Sequence, residues 1–145
     1  MDKLYKRIFE DFLYSSDSLW VYKHDKMLFN SNKDRLFPLL EYIAKLSYRY
    51  RWVTIFDKVI GNAAALLCFK ANCREVYSHV ASQMAIKTLD RYGIKYYFTK
   101  IVPYIKQMSS EQMCPMEKLS IGKSPEEFYE IMECHRRFDQ PGKFL

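Results

Sequence analysis

At Asp57-Lys58 an acid and a base stand side by side, followed closely by Gly61, Asn62 and the run Ala63-Ala64-Ala65. Read as the opening of a helix from Asp57, the pair would sit among N–H groups that have no intrahelical partner and attract anions. It could there grip a phosphate or polarise a ligand, and the small residues would let that ligand approach the backbone. An ordinary aspartate cap beside a solvated lysine is the plainer alternative. A second place for chemistry is Met113-Cys114-Pro115-Met116-Glu117. Pro115 suits the first position of a short helix, which puts the Cys114 thiol at the cap, where the helix dipole favours a thiolate. Glu117, three residues on, is spaced for a capping-box contact with Cys114. A buried structural cysteine is the alternative there. Ser82 ends a strand and opens a helix, at the carboxyl end of a strand where ligands of open α/β sheets collect. It could equally be a plain cap. Tyr104 lies in the apolar stretch Ile101-Val102-Pro103-Tyr104-Ile105 and is the aromatic expected near a pocket.

Several chemistries are absent. The cysteines Cys68, Cys73, Cys114 and Cys134 contain no C-x-x-C pair, and His24, His79 and His135 form no recognisable triad or metal set. No P-loop, G-x-S-x-G or G-x-G-x-x-G string occurs. No metal ligand and no cofactor is therefore expected.

These residues must be positioned by a small protein. With 145 residues, 49% hydrophobic and 28% charged, the chain suits one domain and neither a disordered nor a disulfide-stapled class. We read 1–138 as that domain and 139–145 as a C-terminal tail. Aromatics reach 17%. The net charge of +6 invites a nucleic-acid reading, yet residues 1–56 hold ten Lys/Arg against seven Asp/Glu and the remainder thirteen against ten. Charge so dispersed along the chain makes nucleic acid an unexpected partner and leaves an anionic small molecule compatible. The longest apolar run, Ala63 to Phe69, is too short to span a bilayer, and no signal peptide is visible. The expected location is the cytoplasm, with free thiols.

Apolar spacing predicts a helix over 3–14, a hairpin of 19–22 and 27–29 around Lys23-His24-Asp25-Lys26, and a helix capped by Asp34 with Pro38 in its first turn. A buried helix follows from Asp57. Then come a strand over 75–80, a helix from Ser82 ended by Gly93, and a strand over 94–98, which together form a parallel βαβ unit. Ser124-Pro125-Glu126-Glu127 opens a last helix, and Arg136 and Arg137 suit its C-terminal dipole. The fold class is α/β, with a mixed sheet covered by helices.

Two strings, Asp57-Lys58-Val59-Ile60-Gly61-Asn62-Ala63-Ala64-Ala65-Leu66-Leu67 and Val102-Pro103-Tyr104-Ile105 with Met113-Cys114-Pro115-Met116-Glu117, resemble a family described as a domain of unknown function with a cytidine-deaminase-like fold. The resemblance runs over about residues 2–130. It departs at Asn62, where the family usually has lysine, and in the tail. It implies a three-layer α/β/α sandwich in which the Asp57 helix stands for the first catalytic helix of true deaminases and the turn before the Ser82 helix for the second. True deaminases hold zinc with H-x-E and P-C-x-x-C. This chain has Asp57-Lys58 and Ala81-Ser82-Gln83-Met84 in those places, so zinc-dependent deamination is not expected.

The resulting expectation is a protein that binds a nucleotide or nucleoside derivative without zinc and can be modified by it. Asp57, Lys58 and Cys114 are the candidate catalytic groups, and Gly61, Asn62, Ser82, Tyr104 and Glu117 the candidate ligand-binding ones. Asp57 could attack an anomeric carbon, with Lys58 stabilising charge. The alternative is an interaction domain, such as a homodimer, that kept the fold and lost the site.

Overall fold

The structure, a computed structural model, describes residues 2–107 and 110–138, with side chains through 136. The chain runs α1 (Lys3–Tyr14), β1 (Leu19–Lys23), β2 (Lys26–Ser31), α2 (Phe37–Leu46), β3 (Val53–Ile60), α3 (Asn62–Lys70), β4 (Cys73–Ser82), α4 (Gln83–Arg91), β5 (Lys95–Val102), α5 (Pro115–Ser120) and α6 (Pro125–Phe138). The five strands form a mixed sheet in the order β2-β1-β3-β4-β5. The hairpin β1–β2 and the β1–β3 pair are antiparallel, whereas β3–β4 and β4–β5 are parallel, each parallel step being crossed by a helix.

Strand β3 is the element that the sequence reading misses. Its first four residues, Val53-Thr54-Ile55-Phe56, are all buried. A strand covered on both faces loses the apolar-polar alternation that marks a half-exposed one. The expected helix from Asp57 is corrected accordingly: Asp57 and Lys58 are strand residues, and the helix begins at Asn62 with Gly61 at its cap. Asp34 caps nothing, since α2 starts at Phe37 with no side-chain cap bond, although Pro38 does lie in the first turn.

Successive residues of β3 feed two cores. Ile55 joins the larger core with Leu40 of α2, Leu67 of α3, Leu89 of α4 and Phe128 of α6. Phe56 faces the opposite way and meets α1 through Ile8, Phe9 and Phe12, beside Tyr77 of β4. Helix α1 thus covers one face and the other helices gather on the second. The α1 face is aromatic: Phe56 stacks on Tyr77 at 5.0 Å between centroids, and Tyr77 on Tyr97 at 4.7 Å. This is where much of the aromatic excess goes.

The start signals at Ser82 and Ser124 and the stop at Gly93 hold. Ser82 Oγ accepts from the Ala85 N–H at 3.0 Å, and Gly93 turns the chain out of α4 at φ 71°. At α6 the Ser124 N–H donates to Glu127 Oε1 at 2.9 Å while the Glu127 N–H donates to Ser124 Oγ at 3.1 Å, a complete capping box. Arg136, expected to serve the helix dipole, is engaged sideways with Glu133 at 2.8 and 3.1 Å. The Arg137 side chain and the tail from Asp139 lie outside the described residues.

The aromatic layer also contains a flaw. The Tyr77 hydroxyl is buried with no hydrogen-bond partner among the described residues. Urea unfolding is expected to show Tyr77→Phe stabilised by about 1 kcal/mol, since an unsatisfied hydroxyl is removed. In the same assay Phe12→Ala should lose about 3–5 kcal/mol, because Phe12 has no solvent exposure and its cavity would be closed by α1 on one side and the sheet on the other.

Candidate functional site

Strands β3 and β4 end side by side, at Ile60 and Ser82, and each opens directly into a helix. The first N–H groups of α3 are buried there and need acceptors. Glu117 of α5 supplies both: Asn62 N–H donates to Oε2 and Ala63 N–H to Oε1, each at 2.8 Å. The fork of the carboxylate matches the two parallel donors. Gly61 makes this approach possible, because a Cβ at that position would overlap the carboxyl group of Glu117. Asn62 extends the knot by donating from Nδ2 to Ser120 Oγ at 2.9 Å and to the Ser120 carbonyl at 3.3 Å, while its Oδ1 accepts from Thr88 Oγ1. Ser120 Oγ donates in turn to the Glu117 carbonyl at 2.7 Å. Burial pushes the Glu117 carboxyl up, and the N–H groups of Ala63 and Asn62 pull it back only in part.

Sequence spacing assigned Glu117 to its own helix, as a partner for Cys114. The structure corrects this, and the reason is local. The Cys114 N–H, which a capping-box glutamate would receive, already donates to the Ile105 carbonyl at 3.0 Å. Cys114 does occupy the cap of α5, half-buried, but its side chain makes no cap hydrogen bond. Tyr104 is also spoken for. Its hydroxyl donates to the Glu111 carbonyl at 2.7 Å, and a Lys106–Glu111 ion pair at 2.8 Å helps to close the same loop. Tyr104 is thereby engaged in holding that loop.

Asp57 and Lys58 do not act as a pair, because adjacent strand residues point to opposite faces. Lys58 follows Phe56 to the α1 side. Its ammonium donates to the Ser15 carbonyl at 2.8 Å and lies 4.5 Å from the centroid of the Phe12 ring. A cation at the C-terminus of α1 complements the helix dipole, so Lys58 has a structural task. Asp57 follows Ile55 to the α3 side, with Leu19 and Ser78 as its register neighbours. It is half-buried and forms no ion pair among the described residues. Desolvation pushes its carboxyl up to about 7, against the opposing pull of the Val59 and Lys58 N–H groups and the Lys58 charge. The Val59 N–H donates to Asp57 Oδ1 across 3.4 Å.

Of the eight candidates, then, Gly61, Asn62, Ser82 and Glu117 gather where α3 and α4 begin, with Asp57 on the same side of the sheet. Lys58 and Tyr104 are directed elsewhere, and Cys114 stands at the cap of α5. Ser120 and Thr88 belong to the knot and were not legible; the one clue was Gly61, a residue without Cβ immediately before a helix.

The fold and this polar centre define an α/β domain with a mixed five-stranded sheet, in which a carboxylate of the protein occupies the start of the central helix. The chain belongs to the family described as Domain of unknown function (DUF1893), whose model matches residues 8–135. It is similar to the crystal structure, at 2.70 Å resolution, of a DUF1893 family protein (TM1506) from Thermotoga maritima. The two share 26% sequence identity with a TM-score of 0.83, over 92% of this chain and 91% of the other. No curated protein matches the sequence.

Two measurements test this geometry. By thermal or urea unfolding, Gly61→Ala is expected to cost about 2–3 kcal/mol in the wild-type background and much less beside Glu117→Ala, because the added methyl acts by displacing the carboxylate. The pH dependence of stability should carry the Asp57 signature. A carboxyl raised from 3.8 to about 7 binds more protons folded than unfolded, so its contribution is favourable in acid and is lost as pH rises through the folded value. Asp57→Asn should abolish that slope between about pH 4 and 7 and should be the more stable protein above pH 7, by about 1–2 kcal/mol once its partial exposure is allowed for.

Proposed function

We propose that this is a cytidine-deaminase-like domain that binds a nucleotide or nucleoside derivative without zinc, with Asp57 as the group that meets the ligand. The observation that carries the reading is the Asp57 carboxyl: desolvated, raised to about 7, and in no ion pair among the described residues, the Lys58 ammonium being engaged with the Ser15 carbonyl on the other face. Ion pairing would have been a simple way to stabilise it, and a perturbed carboxyl near the ends of parallel strands is where ligand chemistry is commonly found. Such a group can accept from, or when protonated donate to, a ribose hydroxyl.

The deaminase-like part of the proposal rests on the arrangement of elements. Two helices start from the ends of adjacent parallel strands, as the helices that carry the zinc motifs of deaminases do. The donor set does not suit zinc. The first helix opens with Gly61-Asn62-Ala63 and the second with Ser82-Gln83-Met84, and among the described residues no three His, Cys, Asp or Glu side chains come together. The phosphate cradle expected at α3 is also taken, by Glu117. The ligand's handle is accordingly its sugar, through Asp57, rather than a phosphate held by that helix. The same carboxyl is the one that ribosyl transfer would modify, the carboxylate oxygen bonding to the anomeric carbon as the group attached there departs.

Thermal shift against a panel of nucleosides, nucleotides and their ribose-bearing derivatives tests the reading. At least one should raise Tm by several degrees, the shift should vanish in Asp57→Asn, and intact mass should show any adduct lost in the same variant. No shift and no adduct with any member of the panel would overturn it and leave the interaction-domain alternative.

A further inference from the structure

A different end of the molecule carries chemistry of its own. At the start of β3 and β4, beside the β1–β2 turn, lies an open cleft of about 460 Å³. Trp52 and Tyr5 give it aromatic walls, Lys23 and Arg74 give it cations, and Thr54 and Glu75 give it polar groups, with Thr54 Oγ1 donating to Glu75 Oε1 at 3.3 Å. The volume is that of a site for one small molecule or one nucleotide.

Trp52 is the informative residue. It is 65% exposed, its ring stacks on no other ring among the described residues, and its φ of 62° is a left-handed conformation that bulky residues avoid. The backbone is held in that form by the Asn72 carbonyl, which accepts from the Trp52 N–H at 2.9 Å and the Val53 N–H at 3.2 Å. The fold thus presents a large aromatic ring to solvent at a position where asparagine or glycine would be easier.

The sequence leading to it alternates aromatic and basic residues, Tyr48-Arg49-Tyr50-Arg51-Trp52. Tyr48 is 75% exposed, with the Arg49 guanidinium 5.9 Å from its ring centroid. Arg49, Arg51 and Arg74 are exposed and form no ion pair among the described residues. Lys23 of the hairpin also lines the cleft, and Lys26 is its cross-strand partner, so these segments carry five Lys or Arg side chains. Three segments far apart in sequence supply this charge, which is why it looks dispersed when counted along the chain.

From this arrangement we propose that the Trp52 end of the domain binds single-stranded nucleic acid, one base entering the cleft to stack on Trp52 while neighbouring phosphates lie on Arg49, Arg51 and Arg74. A stacking ring flanked by cations is the common device for an unpaired strand. Glu75 offers an acceptor for an exocyclic amine of the inserted base. A strand suits the surface better than a free nucleotide because Tyr48 and Arg49 continue the pattern beyond the residues that line the cleft. A duplex keeps its bases stacked and cannot use the cleft.

The test is fluorescence anisotropy of the full chain with a fluorescein-labelled DNA or RNA strand of about ten nucleotides. Binding is expected to saturate at low salt and to weaken as salt is raised. Trp52→Asn, which suits the backbone and removes the ring, should weaken it about tenfold with an unchanged circular dichroism spectrum. Arg51→Gln with Arg74→Gln should weaken it and flatten the salt dependence, whereas Lys87→Gln on α4, which removes the same kind of charge elsewhere, should leave it as it was. The proposal is overturned by no binding at about 50 mM salt with protein up to about 100 μM. It is equally overturned if Trp52→Asn binds like the wild type, if a duplex of the same length binds as tightly, or if a free mononucleotide competes as well as the strand. Each readout is independent of Asp57, so this proposal and the nucleotide-binding reading can fail separately.

Discussion

The bidentate contact between Glu117 and the first two N–H groups of α3 is the interaction on which the rest of this structure leans. Helix α3 is the hub of the larger layer, touching α2, α4, α5 and α6. Seven of its nine residues are buried. Its N-terminus therefore has no access to water, and two unpaired N–H groups there would each carry the desolvation cost of an unmade hydrogen bond. One carboxylate resolves both. It also fastens the short helix α5, and with it the long connection between β5 and α6, to the sheet. The cost is a buried charge, visible in the upward displacement of the Glu117 carboxyl. The requirement is a residue without Cβ at position 61.

That solution shapes what remains for function. A helix N-terminus at the end of a parallel strand is a ready site for an anion. Here the anion is part of the chain. Lys58 is withdrawn in the same sense, serving the end of α1 rather than a ligand. Asp57, on that side of the sheet, is half-buried and in no ion pair among the described residues. At the opposite end the balance reverses: Trp52, at positive φ, and the arginines near it are exposed to solvent.

Local signals were legible in the sequence and long-range ones were not. Ser82 as a cap, Gly93 as a stop, the hairpin, and the Ser124–Glu127 box all follow from residues within a few positions of each other. Strand β3 was hidden because Val53-Thr54-Ile55-Phe56 is covered on both faces, and Asp57 imitates a helix cap in front of an apolar stretch. The partnership of Glu117 with Asn62 and Ala63 spans 55 and 54 residues, so no spacing rule reaches it, whereas a false partner lay three residues away at Cys114. The mixed α/β class was legible from the order of elements. The basic end was not, because Lys23, Arg51 and Arg74 come together only when β1, β3 and β4 align.

The proposed function rests on two carboxyls with opposite roles, Glu117 as an internal ligand and Asp57 as the group left open. Side-chain carboxyl ¹³C NMR across a pH titration, with and without the nucleotide derivative that gives the largest thermal shift, addresses both at once. Asp57 should titrate near 7 and move on ligand addition, while Glu117 titrates above the ordinary carboxylate range and stays unchanged by ligand. An Asp57 that titrates near its ordinary value of 3.8, or a Glu117 resonance that moves with ligand while Asp57 does not, would contradict it.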